Sequence, residues 1–92
     1  MILAKAKVAD YENFKKVFST DGAEQRRTSG SKGARVFTKA DDPTEVWVLF
    51  DWSKDDYLRF LADPKSQEIM GRAGLQGPPE HTVVDAGPEL DA

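Results

Sequence analysis

Ala34-Arg35-Val36-Phe37-Thr38-Lys39-Ala40-Asp41-Asp42-Pro43-Thr44-Glu45-Val46-Trp47-Val48-Leu49-Phe50-Asp51-Trp52 is the stretch that decides the fold. From Ala34 to Ala40, Ala34, Val36, Thr38 and Ala40 fall on one side and Arg35, Phe37 and Lys39 on the other. A period of two belongs to a strand, because successive side chains point to opposite faces. Asp41-Asp42-Pro43 is a turn signal, since Asp bonds to nearby backbone and Pro presets φ. Glu45 to Trp52 alternates again, with Val46, Val48, Phe50 and Trp52 opposite Trp47, Leu49 and Asp51. The two segments are expected to pair as a hairpin.

Upstream, Ile2 to Val8 alternates Ile2, Ala4, Ala6 and Val8 against Leu3, Lys5 and Lys7, which reads as a third strand. Asp10 then has the chemistry of an N-cap, and Glu12 places negative charge at the positive end of a helix dipole. Tyr11, Phe14, Val17 and Phe18 follow at helical spacing. Ser19-Thr20-Asp21-Gly22 breaks that helix, and Asp21 with Glu24 caps a second segment through Arg27. Within it, Glu24-Gln25-Arg26-Arg27 reads as a solvated face.

Downstream, Ser53 with Asp56 three residues later approximates a capping box ahead of the stripe Tyr57, Leu58, Phe60 and Leu61. Pro64 opens another helical piece, Lys65 to Ala73. A loop rich in Gly and Pro leads to a last short strand, His81 to Ala86. Residues 1–87 are expected to form one domain, with 88–92 a frayed tail.

Strand–helix–strand–strand–helix–strand is an α+β, ferredoxin-like β-α-β-β-α-β order. Right-handed crossovers put the first and third strands in the middle of a four-stranded antiparallel sheet, with the helices on one face. The face with Ile2, Ala4, Val46, Val48, Phe50 and Trp52 is apolar and belongs under the helices. The other carries Leu3, Phe37, Trp47 and Leu49 among Lys5, Lys7, Arg35, Lys39 and Asp51. An apolar patch on a central strand marks an interface, so a homodimer is expected through this face. Lys5, Arg35 and Asp51 around Trp47 read there as an ion-pair network of the dimer, the alternative being a small-anion site.

Composition narrows the chemistry. The 92 residues include no Cys and one His. That removes disulfides, thiolate zinc sites, iron–sulfur clusters, a cysteine nucleophile and two-histidine metal motifs. A net charge of −3 lacks the clustered Lys and Arg of a nucleic-acid surface. The longest apolar run, Val46 to Phe50, is far short of a membrane span. Lys5 and Lys7 interrupt the N-terminal apolar stretch, so no signal peptide is read and a cytoplasmic location is expected.

The hairpin Arg35 to Trp52, the stretch Phe60-Leu61-Ala62-Asp63-Pro64 and the segments Arg72-Ala73-Gly74 and Gly77-Pro78-Pro79-Glu80 together resemble the antibiotic biosynthesis monooxygenase-like branch of the dimeric α/β-barrel superfamily. The likeness runs from about Ile2 to Asp85. It implies a two-sheet dimer and a cofactor-independent monooxygenase-like domain that oxidises or binds an aromatic or polycyclic small molecule. It also implies a pocket between sheet and helices. Haem-degrading relatives use a helix histidine as iron ligand. Neither predicted helix here contains one, so that function does not carry over, and no cofactor or metal is expected.

Tyr11, Asn13, Phe14, Phe18, Phe50, Trp52, Tyr57 and Phe60 are the residues expected to contact substrate. Helical and strand spacing already explains the same aromatics as plain core, which is the favoured reading. His81 is the candidate catalytic base, histidine being the side chain that ordinarily titrates near neutrality; the alternative is an edge-strand histidine of no catalytic role. The expected dimer contacts are Leu3, Lys5, Arg35, Phe37, Trp47, Leu49 and Asp51. A non-enzymatic ligand-binding or structural dimer is the rival reading, and an isomerase- or cyclase-like relative a third.

Overall fold

The period-two segments form one antiparallel sheet in the computed structural model, which describes residues 1–92. The elements are β1 (Ile2–Lys7), α1 (Tyr11–Ser19), α2 (Asp21–Thr28), β2 (Ala34–Lys39), β3 (Asp42–Phe50), α3 (Lys54–Ala62), α4 (Pro64–Arg72) and β4 (Glu80–Val83). The sheet order is β2-β3-β1-β4, with the first and third strands central as the crossover rule requires. The ferredoxin-like α+β expectation holds, each helical layer being split in two.

Register follows from burial. Ala4 pairs with Val48, Ala6 with Val46 and Ile2 with Phe50, so one sheet face is continuous apolar surface. Phe14 of α1, Tyr57 and Phe60 of α3 and Ala73, just beyond α4, cover it in a single cluster. Each fully buried Val, Ile or Phe contributes about 1.5–3 kcal/mol relative to exposure.

The helix ends obey their local chemistry. Asp10 accepts from the Glu12 amide and Ser53 from the Asp56 amide at 3.1 Å, which leaves fewer first-turn N–H groups unpaired. Asp63 ends α3 and caps α4, accepting from Lys65 at 2.9 Å, with Pro64 where a missing N–H costs nothing. Between α1 and α2 the Thr20 hydroxyl donates to the Lys16 carbonyl at 2.7 Å, a local bond that competes with helix continuation. Gly74, at φ +80°, turns the chain out of α4 and accepts from the Ala9 amide at 3.0 Å. That contact sits next to an isolated bridge between Val8 and Leu75.

The structure departs from the expectation in four places. The hairpin turn is Ala40-Asp41, and β3 starts at Asp42 rather than Glu45, because Asp42 binds both the amide and the hydroxyl of Thr44. A bulge between Thr38 and Lys39 absorbs the resulting shift. At the other end β3 stops at Phe50, so Trp52 lies in the loop before α3 yet stays buried. β4 ends at Val83, three residues earlier than expected. The fourth difference is in α2, where Gln25 and Arg26 are buried instead of solvated. Gln25 reaches across to α4, donating to Ser66 Oγ and Asp63 Oδ2, each at 3.0 Å. Arg26 folds back onto α1.

The sheet face away from the helices carries Leu3 opposite Leu49 and Trp47 flanked by Lys5 and Phe37. Phe37 is 45% exposed. Lys5 stands 5.4 Å from the Trp47 ring and pairs with Glu80 at 3.6 Å, while Arg35 lies over Phe37 at 5.1 Å. Asp51 is exposed and forms no ion pair within the chain. No helix is long and apolar enough to cross a membrane.

Candidate functional site

Between the sheet and the helices lies an apolar cavity of about 60 Å³. Its floor is Ala4, Ala6, Val46, Val48 and Phe50 from β1 and β3, and its roof is Phe14 and Phe18 from α1 with Tyr57 and Phe60 from α3. Small residues make the space. Ala4 and Ala6 stand where larger side chains would fill the layer, and Gly22 and Ala73 thin the helical wall. Leu61, Met70, Leu75 and Pro79 separate the cavity from a shallower outer groove of about 370 Å³ that shares all four.

The aromatic layer is continuous. Phe14 and Phe18 stack at 5.0 Å, Phe50 and Trp52 at 5.0 Å, and Trp52 tilts against Tyr57 at 5.6 Å and Phe60 at 5.1 Å. These separations fall in the favourable range for offset and tilted rings.

Two polar atoms in this layer have no hydrogen-bond partner within the protein, the Tyr57 hydroxyl and the Trp52 indole Nε1. Tyr57 is 1% exposed. Burial favours its neutral form and pushes the phenol up to about 12. Buried donors are satisfied in the great majority of cases, so these two are exceptions within the aromatic layer.

Arg26 adds a third polar group. It is 9% exposed, its guanidinium lies 3.8 Å from the Phe18 ring, and Nη1 donates to the Phe18 carbonyl at 3.0 Å. Burial, reinforced by the neighbouring Arg27 charge, lowers it to about 10, so it remains cationic at neutral pH.

Of the residues singled out from the sequence, Phe14, Phe18, Phe50, Tyr57 and Phe60 line the cavity. Trp52 sits behind them, outside the wall. Tyr11 is at the outer end of α1, stacked at 6.4 Å on Phe14 and approached by Lys15. Asn13 points the other way and donates to the Arg72 carbonyl at 2.9 Å, tying α1 to the end of α4. His81 faces Ala4 across the sheet, on the helix side, and its ring meets Tyr57 edge-on at 5.1 Å. It is exposed and does not line the cavity. Arg26 was hidden in the sequence because α2 has almost no apolar stripe to mark its inward face. No group of three or more His, Asp or Glu side chains is placed to hold a metal ion.

No protein-family model matches the sequence, and no curated protein matches it either. Solved structures do. SnoaB, a cofactor-independent oxygenase from Streptomyces nogalater, superposes with a TM-score of 0.71 at 20% identity, over 97% of this chain and 93% of that one. The monooxygenase from the ActVA-Orf6 gene of Streptomyces coelicolor, solved with Nanaomycin D, gives 0.65 at 24% identity, over 99% and 90%. A Bordetella bronchiseptica protein classed as an antibiotic biosynthesis monooxygenase gives 0.71 at 17% identity, over 92% and 95%. The chain has the antibiotic biosynthesis monooxygenase fold. In this chain the cavity lies in the helix–sheet layer, roofed by α1 and α3, and the bare sheet face lies on the opposite side.

Proposed function

We propose that this chain binds an aromatic or polycyclic small molecule in the helix–sheet layer and oxidises it with molecular oxygen, without a cofactor. The observation that carries the reading is the apolar cavity whose wall includes Tyr57, with the hydroxyl buried and unpartnered. The fold shared with cofactor-independent oxygenases supports it. A phenol suits this chemistry because it can supply every electron itself. In oxidation of a phenol to a quinone by O₂, one oxygen atom bonds to the ring carbon. The other leaves as water with the displaced ring hydrogen and the phenolic hydrogen. Four electrons leave the substrate and four reduce O₂, so no external reductant enters.

In this reading Phe14, Phe18, Phe50 and Phe60 hold the ring by stacking, and Tyr57 donates to a substrate oxygen. His81, edge-on behind Tyr57 and outside the resting cavity wall, is the candidate base for the phenolic proton once the cavity widens to reach it. Pockets for drug-sized ligands enclose about 300–1,000 Å³, so the 60 Å³ cavity must widen towards the outer groove. Met70, unbranched and flexible, and Leu61 are the side chains that would move.

The chain acts as a homodimer in this proposal, its bare sheet face burying Leu3, Phe37, Trp47 and Leu49 against a second copy. Lys5, Arg35 and Asp51 lie at the edge of that patch.

The test is oxygen uptake with hydroxylated naphthalenes and anthrones in chelator-treated buffer. Stoichiometric O₂ consumption with quinone formation is expected. Saturable binding without O₂ consumption supports the rival ligand-binding domain, while the small resting volume of the cavity favours the structural dimer with its aromatics packed. Absence of binding at millimolar ligand overturns both readings.

A further inference from the structure

Only one short stretch of the cavity wall is untied. β1 and β3 are the paired central strands, and the helices are held by the buried Phe14, Tyr57 and Phe60 and by the Gln25–Ser66 and Asn13–Arg72 bonds. After α4, Leu75 is bridged to Val8 and the Gln76 amide donates to the Lys7 carbonyl at 2.9 Å. The chain is next held at Glu80, which pairs with Lys5 of β1. Between these anchors Gly77, Pro78 and Pro79 form no hydrogen bond. Pro79 reaches the cavity wall, and all three residues line the outer groove together with Gln67, Met70 and Gly71 of α4.

This strap has spare length and a joint. Both anchors lie on β1, where the single residue Ala6 separates Lys7 from Lys5, whereas three residues separate Gln76 from Glu80. The two extra residues amount to about 7 Å of chain at full extension. Pro78 and Pro79 have their φ fixed by their rings, so rotation falls to Gly77. Its φ of +96° suits glycine and is costly for any other residue. A Cβ there would meet nothing within 4 Å, so backbone geometry and not crowding favours glycine at this position.

We propose that Gly77–Pro79 is the door of the cavity, swinging out at Gly77 while Gln76 and Glu80 stay paired with β1. The door deepens the proposed function and rests on its placement of the ligand in the helix–sheet layer. Withdrawal of Pro79 joins the 60 Å³ cavity to the 370 Å³ groove and admits a ring that the closed space cannot hold. The motion breaks no hydrogen bond and uncovers no central strand, which puts it at the low-energy end of local openings.

The chain has no Cys, so one introduced thiol reports on the door. Ala4→Cys puts that thiol on the cavity floor, and Ser66→Cys puts it at a fully buried position outside the cavity. Each is treated with dithiodipyridine, a neutral aromatic disulfide, at pH 7.5. Ala4→Cys is expected to react at least tenfold faster than Ser66→Cys, at a rate that stays flat in low urea, since a local opening exposes little new surface. Gly77→Ala strains only the closed backbone and should raise that rate, and the association rate of 1-naphthol, about fivefold. Gly71→Ala, on the α4 side of the same groove with no atom in its way, should leave both within twofold. Equal reaction of the two thiols, rising together with urea, would mean that the cavity opens only on unfolding, and overturns the door. A fast Ala4→Cys reaction that Gly77→Ala leaves unchanged overturns it too, because entry then lies elsewhere. Failure of 1-naphthol to bind the parent in calorimetry overturns the proposed function, while the thiol rates still decide the door. Should Ala4→Cys not fold, Ala6→Cys on the same floor takes its place.

Discussion

Replacing Tyr57 with Phe removes one atom from the most enclosed aromatic side chain in the molecule. The residue is 1% exposed, and its hydroxyl has no partner within the protein. Burying a hydroxyl without a partner costs about 1–3 kcal/mol, so its deletion should leave stability unchanged or raise it by about 1 kcal/mol. In a domain of 92 residues such a gain moves Tm up by about 4–8 °C. Ligand affinity should move the other way. Loss of one hydrogen bond to a buried substrate oxygen, worth about 1 kcal/mol, weakens binding roughly fivefold. Thermal unfolding followed by circular dichroism, paired with calorimetric titration of 1-naphthol, reads both. A variant that loses more than 1 kcal/mol while binding naphthol as the parent does would refute the reasoning. The hydroxyl would then be a structural donor and not a ligand contact.

Other perturbations test separate parts of the account. The Tyr57 phenol is raised to about 12 in the folded state, so the native protein holds its proton more tightly than the unfolded chain. Its contribution is complete below pH 10 and is lost as pH rises towards 12, by roughly 2–3 kcal/mol; denaturant titrations at pH 9 and 11 should show that loss smaller in Tyr57→Phe, and equal slopes would contradict it. Trp47→Glu should convert a dimer into monomer by light scattering at micromolar concentration, since it places an unpaired charge in the buried patch; a parent already monomeric there would remove the dimer from the account. Gln25→Ala should cost about 2 kcal/mol in urea unfolding, because Ser66 Oγ, fully buried, loses the amide that reaches it from α2. Asn13→Ala should cost about 1 kcal/mol and leave ligand affinity unchanged, because its amide holds the Arg72 carbonyl and not the cavity. His81→Ala should slow O₂ uptake without lowering Tm, and an unchanged rate would remove His81 from the chemistry.

The architecture was legible wherever one periodicity ruled a segment. The alternation through Val46, Val48 and Phe50 has a single solution, since a one-residue slip would turn all three into solvent. Asp10 and Ser53 announced helix starts because capping is local chemistry, complete within three residues. Trp52 misled as the last residue of a strand. Its burial is tertiary, and an alternating pattern does not record where the backbone stops pairing. The start of β3 was misplaced for a related reason. Asp42 and Pro43 are turn formers, but the Asp42–Thr44 bonds let the strand begin there behind a bulge.

The site was legible in part. Helical and strand spacing brings Phe14, Phe18, Phe50, Tyr57 and Phe60 to one layer, as pattern alone implies. Pattern does not report that Ala4, Ala6, Gly22 and Ala73 leave space among them, since a cavity depends on what lies opposite each small residue. It also does not report orphaned donors, which are visible only once every neighbour is in place. Arg26 escaped notice because a charged residue in a polar helix reads as solvated. Its burial follows from α2 folding back over Phe18. The face of α2 is set by polar contacts to α4 and α1 instead of an apolar stripe.

The claim at the centre of this account is that an aromatic ligand occupies the layer between sheet and helices. Titration of the ¹⁵N-labelled protein with 1-naphthol, followed by two-dimensional NMR, tests it directly. The account predicts saturable shifts confined to the cavity and its rim, at Ala4, Phe18, Val48, Tyr57, Met70 and Leu75. Shifts clustered at Leu3, Phe37, Trp47 and Leu49 on the opposite sheet face, or none at all at millimolar ligand, would contradict it.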